Sequence, residues 1–98
     1  MQNRDQIISL VEKNRQTLKN QGVKAIGLFG SYATNQANEE SDLDFVVRLE
    51  KKTFDAYMNV KFFLEGLFKK RVDLVMEETI KPRLRETILN QVIYVQGL

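Results

Sequence analysis

The sequence predicts a small α/β (α+β) fold, a mixed β-sheet flanked by helices, on three observations. Apolar runs at 23–29, 43–49 and 72–76 have the length and composition of strands. Stretches at 3–21 and 53–68 carry apolar residues at helical spacing. Polar turn segments separate these pieces, so helix and strand alternate around one sheet.

Taken in order, Asn3 is placed to cap a helix, and Gln6 three residues later completes a capping-box pattern. Ile7, Leu10, Val11 and Leu18 share its apolar side, and Gly22 fits its stop. Val23–Phe29 reads as a buried strand ending at the turn Gly30-Ser31. A short helix is predicted over 32–35, followed by a polar loop over 35–41. In the strand 43–49, Leu43, Phe45, Val47 and Leu49 share one face, and Asp42 and Asp44 share the other. The helix 53–68 presents Phe54, Tyr57, Met58, Phe62, Leu64, Leu67 and Phe68 over a wide arc, which serves a core or an interface. A basic run, Lys69-Lys70-Arg71, precedes the strand 72–76, where Asp73 opposes Val72, Leu74 and Met76. Pro82 suits the first turn of a last helix, 82–90, and 92–95 is a short fourth strand or a docked tail.

Composition narrows the chemistry. Ninety-eight residues without a linker or repeat predict one domain over 1–98. The chain has neither Cys nor His. That excludes disulfides, thiolate metal sites, imidazole acid–base catalysis and the usual zinc ligand sets. Any metal is held by oxygen, which favours Mg²⁺, Mn²⁺ or Ca²⁺. A net charge of +2 permits an anionic ligand but is not the dense basic stripe of a dedicated nucleic-acid binder. The N-terminal residues lack a signal-peptide run and no stretch of eighteen residues is apolar, so a cytoplasmic location without membrane contact is expected.

The informative motif is Gly30-Ser31 followed, after ten residues, by Asp42-Leu43-Asp44. A chance match in a chain of this length is on the order of one in a thousand. A Gly after a strand lets the backbone approach a ligand closely, and the following N–H groups and Ser31 hydroxyl offer a seat for phosphate oxygens. Asp42 and Asp44, held side by side, repel each other unless a cation sits between them. Asp73 joins them if strands two and three are neighbours. Lys24, Arg48, Lys69, Lys70, Arg71, Arg83 and Arg85 are available to neutralise phosphate, although each taken singly reads as solvated surface.

These residues together resemble the DNA polymerase β-type nucleotidyltransferases, and more closely the minimal nucleotidyltransferase (MNT) antitoxin family. The resemblance spans Leu-Phe-Gly-Ser-Tyr-Ala at 28–33, Ser-Asp-Leu-Asp-Phe at 41–45, Val-Asp-Leu-Val at 72–75 and Ile-Lys-Pro at 80–82. It implies the nucleotidyltransferase fold in minimal form, and a HEPN-type toxin as protein partner. It also implies transfer of AMP from ATP to a tyrosine hydroxyl of that toxin. Gly30 and Ser31 would grip the triphosphate. Asp42, Asp44 and Asp73 would be the catalytic residues and hold two Mg²⁺ ions, Asp73 also helping to activate the hydroxyl. The family commonly reads Gly-Ser-x-Ala-Arg-Gly, whereas Thr34-Asn35 stands in place of Arg-Gly. Asn35 can take the left-handed conformation Gly allows, but a phosphate or structural contact of the Arg is lost. Two alternatives stay open: a non-catalytic module that silences its toxin by occlusion, and a nucleotidyltransferase acting on RNA or a small molecule.

Overall fold

A computed structural model describes residues 2–98. Its helices are α1 (Arg4–Lys13), α2 (Arg15–Asn20), α3 (Gly30–Ala33), α4 (Phe54–Phe68) and α5 (Pro82–Gln91), with one 3₁₀ turn at Glu77–Thr79. Its strands are β1 (Val23–Phe29), β2 (Leu43–Leu49), β3 (Val72–Met76) and β4 (Ile93–Tyr94). They form one sheet in the order β3-β2-β1-β4. β1 runs antiparallel to β2 and β4, and β2 runs parallel to β3, with α4 as the crossover. This is the small mixed sheet with flanking helices that the sequence predicts.

The capping box forms as read: the Asn3 side chain accepts from the Gln6 N–H, and Gln6 Oε1 accepts from the Asn3 N–H, both at 2.9 Å. The predicted single N-terminal helix is broken, however. Asn14 leaves helical geometry, and its side-chain amide donates to the Leu10 carbonyl at 2.8 Å. The strand boundaries match the sequence reading at all three long strands, and the fourth is a two-residue pairing with β1. The short helix after β1 starts at Gly30 rather than 32, because Gly30 at φ +77 turns the chain at once. α4 starts one residue later than read, since Thr53 is its cap and accepts from the Ala56 N–H at 3.1 Å.

The alternation of β2 sorts its side chains. Leu43, Phe45 and Val47 face a buried cluster with Ile26, Leu28, Val72 and Leu74, covered by Ile7, Val11 and Leu18 of the first helices and by Val60 and Leu64 of α4. α4 also caps the free edge of β3: the Tyr57 hydroxyl donates to the Leu74 carbonyl at 2.6 Å, and Glu65 accepts from the Val72 N–H at 3.1 Å. Its outer side leaves Phe54 76% and Phe62 60% exposed, so those two do not join the core. On the opposite face of the sheet, Gly27 lets Val92 and Tyr94 lie against β1, since a Cβ there would overlap Val92. That face is open over Asp44 and Asp73.

Candidate active site

All five predicted site residues gather at one end of the sheet. Gly30 ends β1 and opens α3, with Ser31 next to it. Asp42 directly precedes β2, and Asp44 and Asp73 are each the second residue of their strand. Because β2 and β3 are parallel and in register, Asp44 pairs with Asp73, and Phe29 pairs with Asp44 from the other side. Residues paired in this way lie about 5 Å apart and point the same way. The topology thus brings the Gly-Ser turn against the carboxylates from one strand and Asp73 from the other.

Gly30 is required for a reason internal to the site. At φ +77 a side chain is strained, and a Cβ would overlap the Asp44 carboxylate oxygen and lie 2.9 Å from its Cγ. The close backbone approach that the sequence suggested for a ligand is therefore made first to Asp44. α3 is a single turn of four residues, so its dipole adds little, and the groups it could offer an anion are its first N–H groups and the Ser31 hydroxyl. Among the described residues that hydroxyl makes no hydrogen bond to protein. Asn35 takes the left-handed conformation (φ 61) open to it, and the Thr34 hydroxyl folds back on the Gly30 carbonyl at 3.2 Å.

The electrostatics mark Asp44 as the strained member. Partial burial pushes its pKa up to about 6 from 3.8, helped by the charges of Asp73 and then Asp42 and by a hydrogen bond with Asp73. Asp42 and Asp73 are exposed. Among the described residues no three acidic side chains already surround one point at metal-binding distance. Asp42 and Asp73 are open to solvent, so other rotamers are accessible to both. The donor set is oxygen only, and the Gly30 position leaves the Asp44 carboxylate room, so the residues present fit a hard divalent cation.

Four of the basic residues have defined surroundings. Lys24, Arg48 and Arg85 line a groove of about 460 Å³ at the far end of β2, four residues from Asp44, and so stand away from the site. Lys70 is not the solvated side chain its sequence context suggested. Its Nζ donates to the Glu39 carbonyl at 2.6 Å and sits 5.8 Å from the centre of the Tyr32 ring. Tyr32, buried beside Ser31, donates its hydroxyl to the Asn38 carbonyl at 3.3 Å. The one sequence signal for Lys70 is its place three residues before Asp73.

A pH dependence follows. Below about pH 4 Asp44 is protonated in both the folded and unfolded chain, and it costs nothing. Between pH 4 and 6 the unfolded chain releases the proton while the fold retains it, so Asp44's contribution to stability falls as pH rises. Above about 6 the penalty is complete. Full conversion of the shift gives about 3 kcal/mol, and solvent access to a half-buried group cuts this to about 1.5 kcal/mol. Denaturant melts of wild type and Asp44→Asn without divalent ions should coincide near pH 4 and diverge by pH 7, the variant being more stable.

Residues 7–95 match the nucleotidyltransferase domain family. The protein adenylyltransferase MntA of Thermococcus cleftensis is 36% identical over 93 residues, spanning 93% of this chain and 94% of its own length. A solved minimal nucleotidyltransferase structure superposes with a TM-score of 0.80 at 34% identity, covering 94% of this chain and 95% of the other. A chain in the structure of tri-AMPylated Shewanella oneidensis HEPN toxin with MNT antitoxin shares the fold, with a TM-score of 0.65 at 22% identity over 93% of this chain and 73% of that one. The family match over residues 7–95 takes in the Gly-Ser turn and both strands that carry carboxylates, and the chain belongs to the nucleotidyltransferase family in its minimal form.

Proposed function

We propose that this protein is the antitoxin of a HEPN/MNT pair and moves AMP from ATP to a tyrosine hydroxyl of its partner toxin. The observation that carries the reading is the in-register pairing of Asp44 with Asp73, with Gly30 backed against Asp44. The adenylyltransferase name of the Thermococcus relative supports the activity, and the HEPN complex of a fold neighbour supports the partner.

In this reading Asp42, Asp44 and Asp73 would hold Mg²⁺, which would neutralise charge on the triphosphate and on the oxygens of the displacement. The first N–H groups of α3 and the Ser31 hydroxyl bind the outer phosphates and fix the α-phosphorus near the carboxylates. The tyrosine oxygen forms a bond to the α-phosphorus, the bond to the bridging oxygen breaks, and pyrophosphate departs. A carboxylate oxygen of Asp73 takes the phenolic proton; its exposure on the open face leaves it accessible to an incoming acceptor.

The test is intact-mass measurement of the toxin encoded beside this chain after incubation with ATP and Mg²⁺. Gain of one or more AMP units, lost with Asp42→Asn, is the expected result. A stable complex with no mass gain would favour occlusion, and turnover of free RNA or a small molecule without a protein partner would favour a different acceptor.

A further inference from the structure

We infer that Lys70 is a positioning residue for the catalytic end of the sheet, a role that rests on the nucleotidyl-transfer reading above. The ligands of the site come from three chain segments that are separate in sequence: the β1–α3 turn with Ser31, the loop entering β2 with Asp42, and the entry to β3 with Asp73. Lys70 touches all three. It belongs to the third, three residues before Asp73. Its Nζ donates to the Glu39 carbonyl, three residues before Asp42, at 2.6 Å. Its charge lies over the ring of Tyr32, the neighbour of Ser31, at 5.8 Å. Tyr32 then closes the triangle by donating to the Asn38 carbonyl at 3.3 Å.

The loop needs such a tie. Residues 36–42 contain no helix or strand, and Asn38, Glu39 and Glu40 are exposed. Its internal bonds are local ones, from Ser41 and Glu40 back to Asn38 and from the Asn38 N–H to Ser41. They shape the loop but do not attach it to the body. Its start is tied by the Gln36 N–H to the Ser31 carbonyl and by Ala37 against the core; beyond Ala37, attachment comes from Tyr32 and Lys70, and the bond from Lys70 is charge-assisted. Without it, no bond to the body remains between Asn38 and Asp42, and small displacements at a reacting centre are costly.

Lys70→Met keeps the stem over Tyr32 and removes the donor, and Lys70→Arg retains both charge and reach. Amide hydrogen exchange of the nucleotide-free, metal-free protein is read first. Protection at Gln36, Asn38, Glu40 and Ser41 should fall in Lys70→Met and return in Lys70→Arg, with the melting temperature nearly unchanged. AMP transfer to the partner should fall about tenfold in Lys70→Met and recover in Lys70→Arg. Unchanged loop protection in Lys70→Met overturns the inference, as does full transfer by that variant. A wild-type protein that shows the exchange effect but never transfers AMP sinks the transfer reading and leaves the tie standing. A large fall in melting temperature with no rescue by Arg reduces Lys70 to a structural residue and overturns the inference.

Discussion

Asp44→Asn should abolish AMP transfer and at the same time make the ion-free protein more stable. The two effects share one cause. Asp44 is half-buried between Asp42 and Asp73, and its pKa is raised to about 6, so at neutral pH the fold holds a carboxylate that it would rather protonate. An amide of the same shape removes that cost and can donate to Asp73. The expected gain is about 1.5 kcal/mol at pH 7, or several degrees in the melting temperature of a chain this size. The same carboxylate is the proposed metal ligand best fixed by the backbone, so its loss should lower transfer by about a thousandfold or more, beyond what loss of a single oriented donor costs. Mass spectrometry of the toxin and a thermal melt on one protein preparation read both quantities. Retained transfer would exclude Asp44 from the chemistry. A sharp drop in melting temperature would make the residue structural, because a purely functional carboxylate has no stability to lose.

The strands were legible because alternation and burial are local properties of a sequence. Leu43, Phe45 and Val47 show their common face without any knowledge of the partner strands, and the partner strands then fall in register with them. The face that Asp73 takes was legible for the same reason, but its pairing with Asp44 depended on β2 and β3 being neighbours, which the sheet order supplies. Three features were not. The break at Asn14 depends on a side-chain amide choosing the Leu10 carbonyl over solvent, which spacing does not encode. α4 is rich in aromatic residues, yet Val60 and Leu64 are fully buried while Phe54 and Phe62 point outward. Residue size does not determine which arc of a helix meets the sheet. Lys70 has the sequence context of a surface cation, and its two contacts exist only once the loop before β2 has folded over Tyr32.

Gly30→Ala should be the most damaging single methyl in the chain, and the way it does damage separates two roles for this glycine. The first is conformational: an L side chain at φ +77 costs about 1–2 kcal/mol wherever it occurs. The second is steric and specific, because the new Cβ would overlap the Asp44 carboxylate and crowd its Cγ. Neither backbone can retreat easily, since Phe29 and Asp44 are paired across the ladder. The carboxylate must move instead, taking with it the pairing to Asp73. A total loss of about 3 kcal/mol is expected, together with loss of ATP binding, measurable by denaturant unfolding and by titration with Mg²⁺ and a non-hydrolysable ATP analogue. The Asp44→Ala background divides the two terms. There the methyl meets only the Cβ of residue 44, at 3.1 Å, and no carboxylate, so Gly30→Ala should cost little more than its conformational part, about half as much. An equal cost in both backgrounds would mean that Gly30 serves the turn alone. A smaller cost beside alanine means that the glycine and the aspartate, fourteen residues apart in sequence, are one fitted unit of the site.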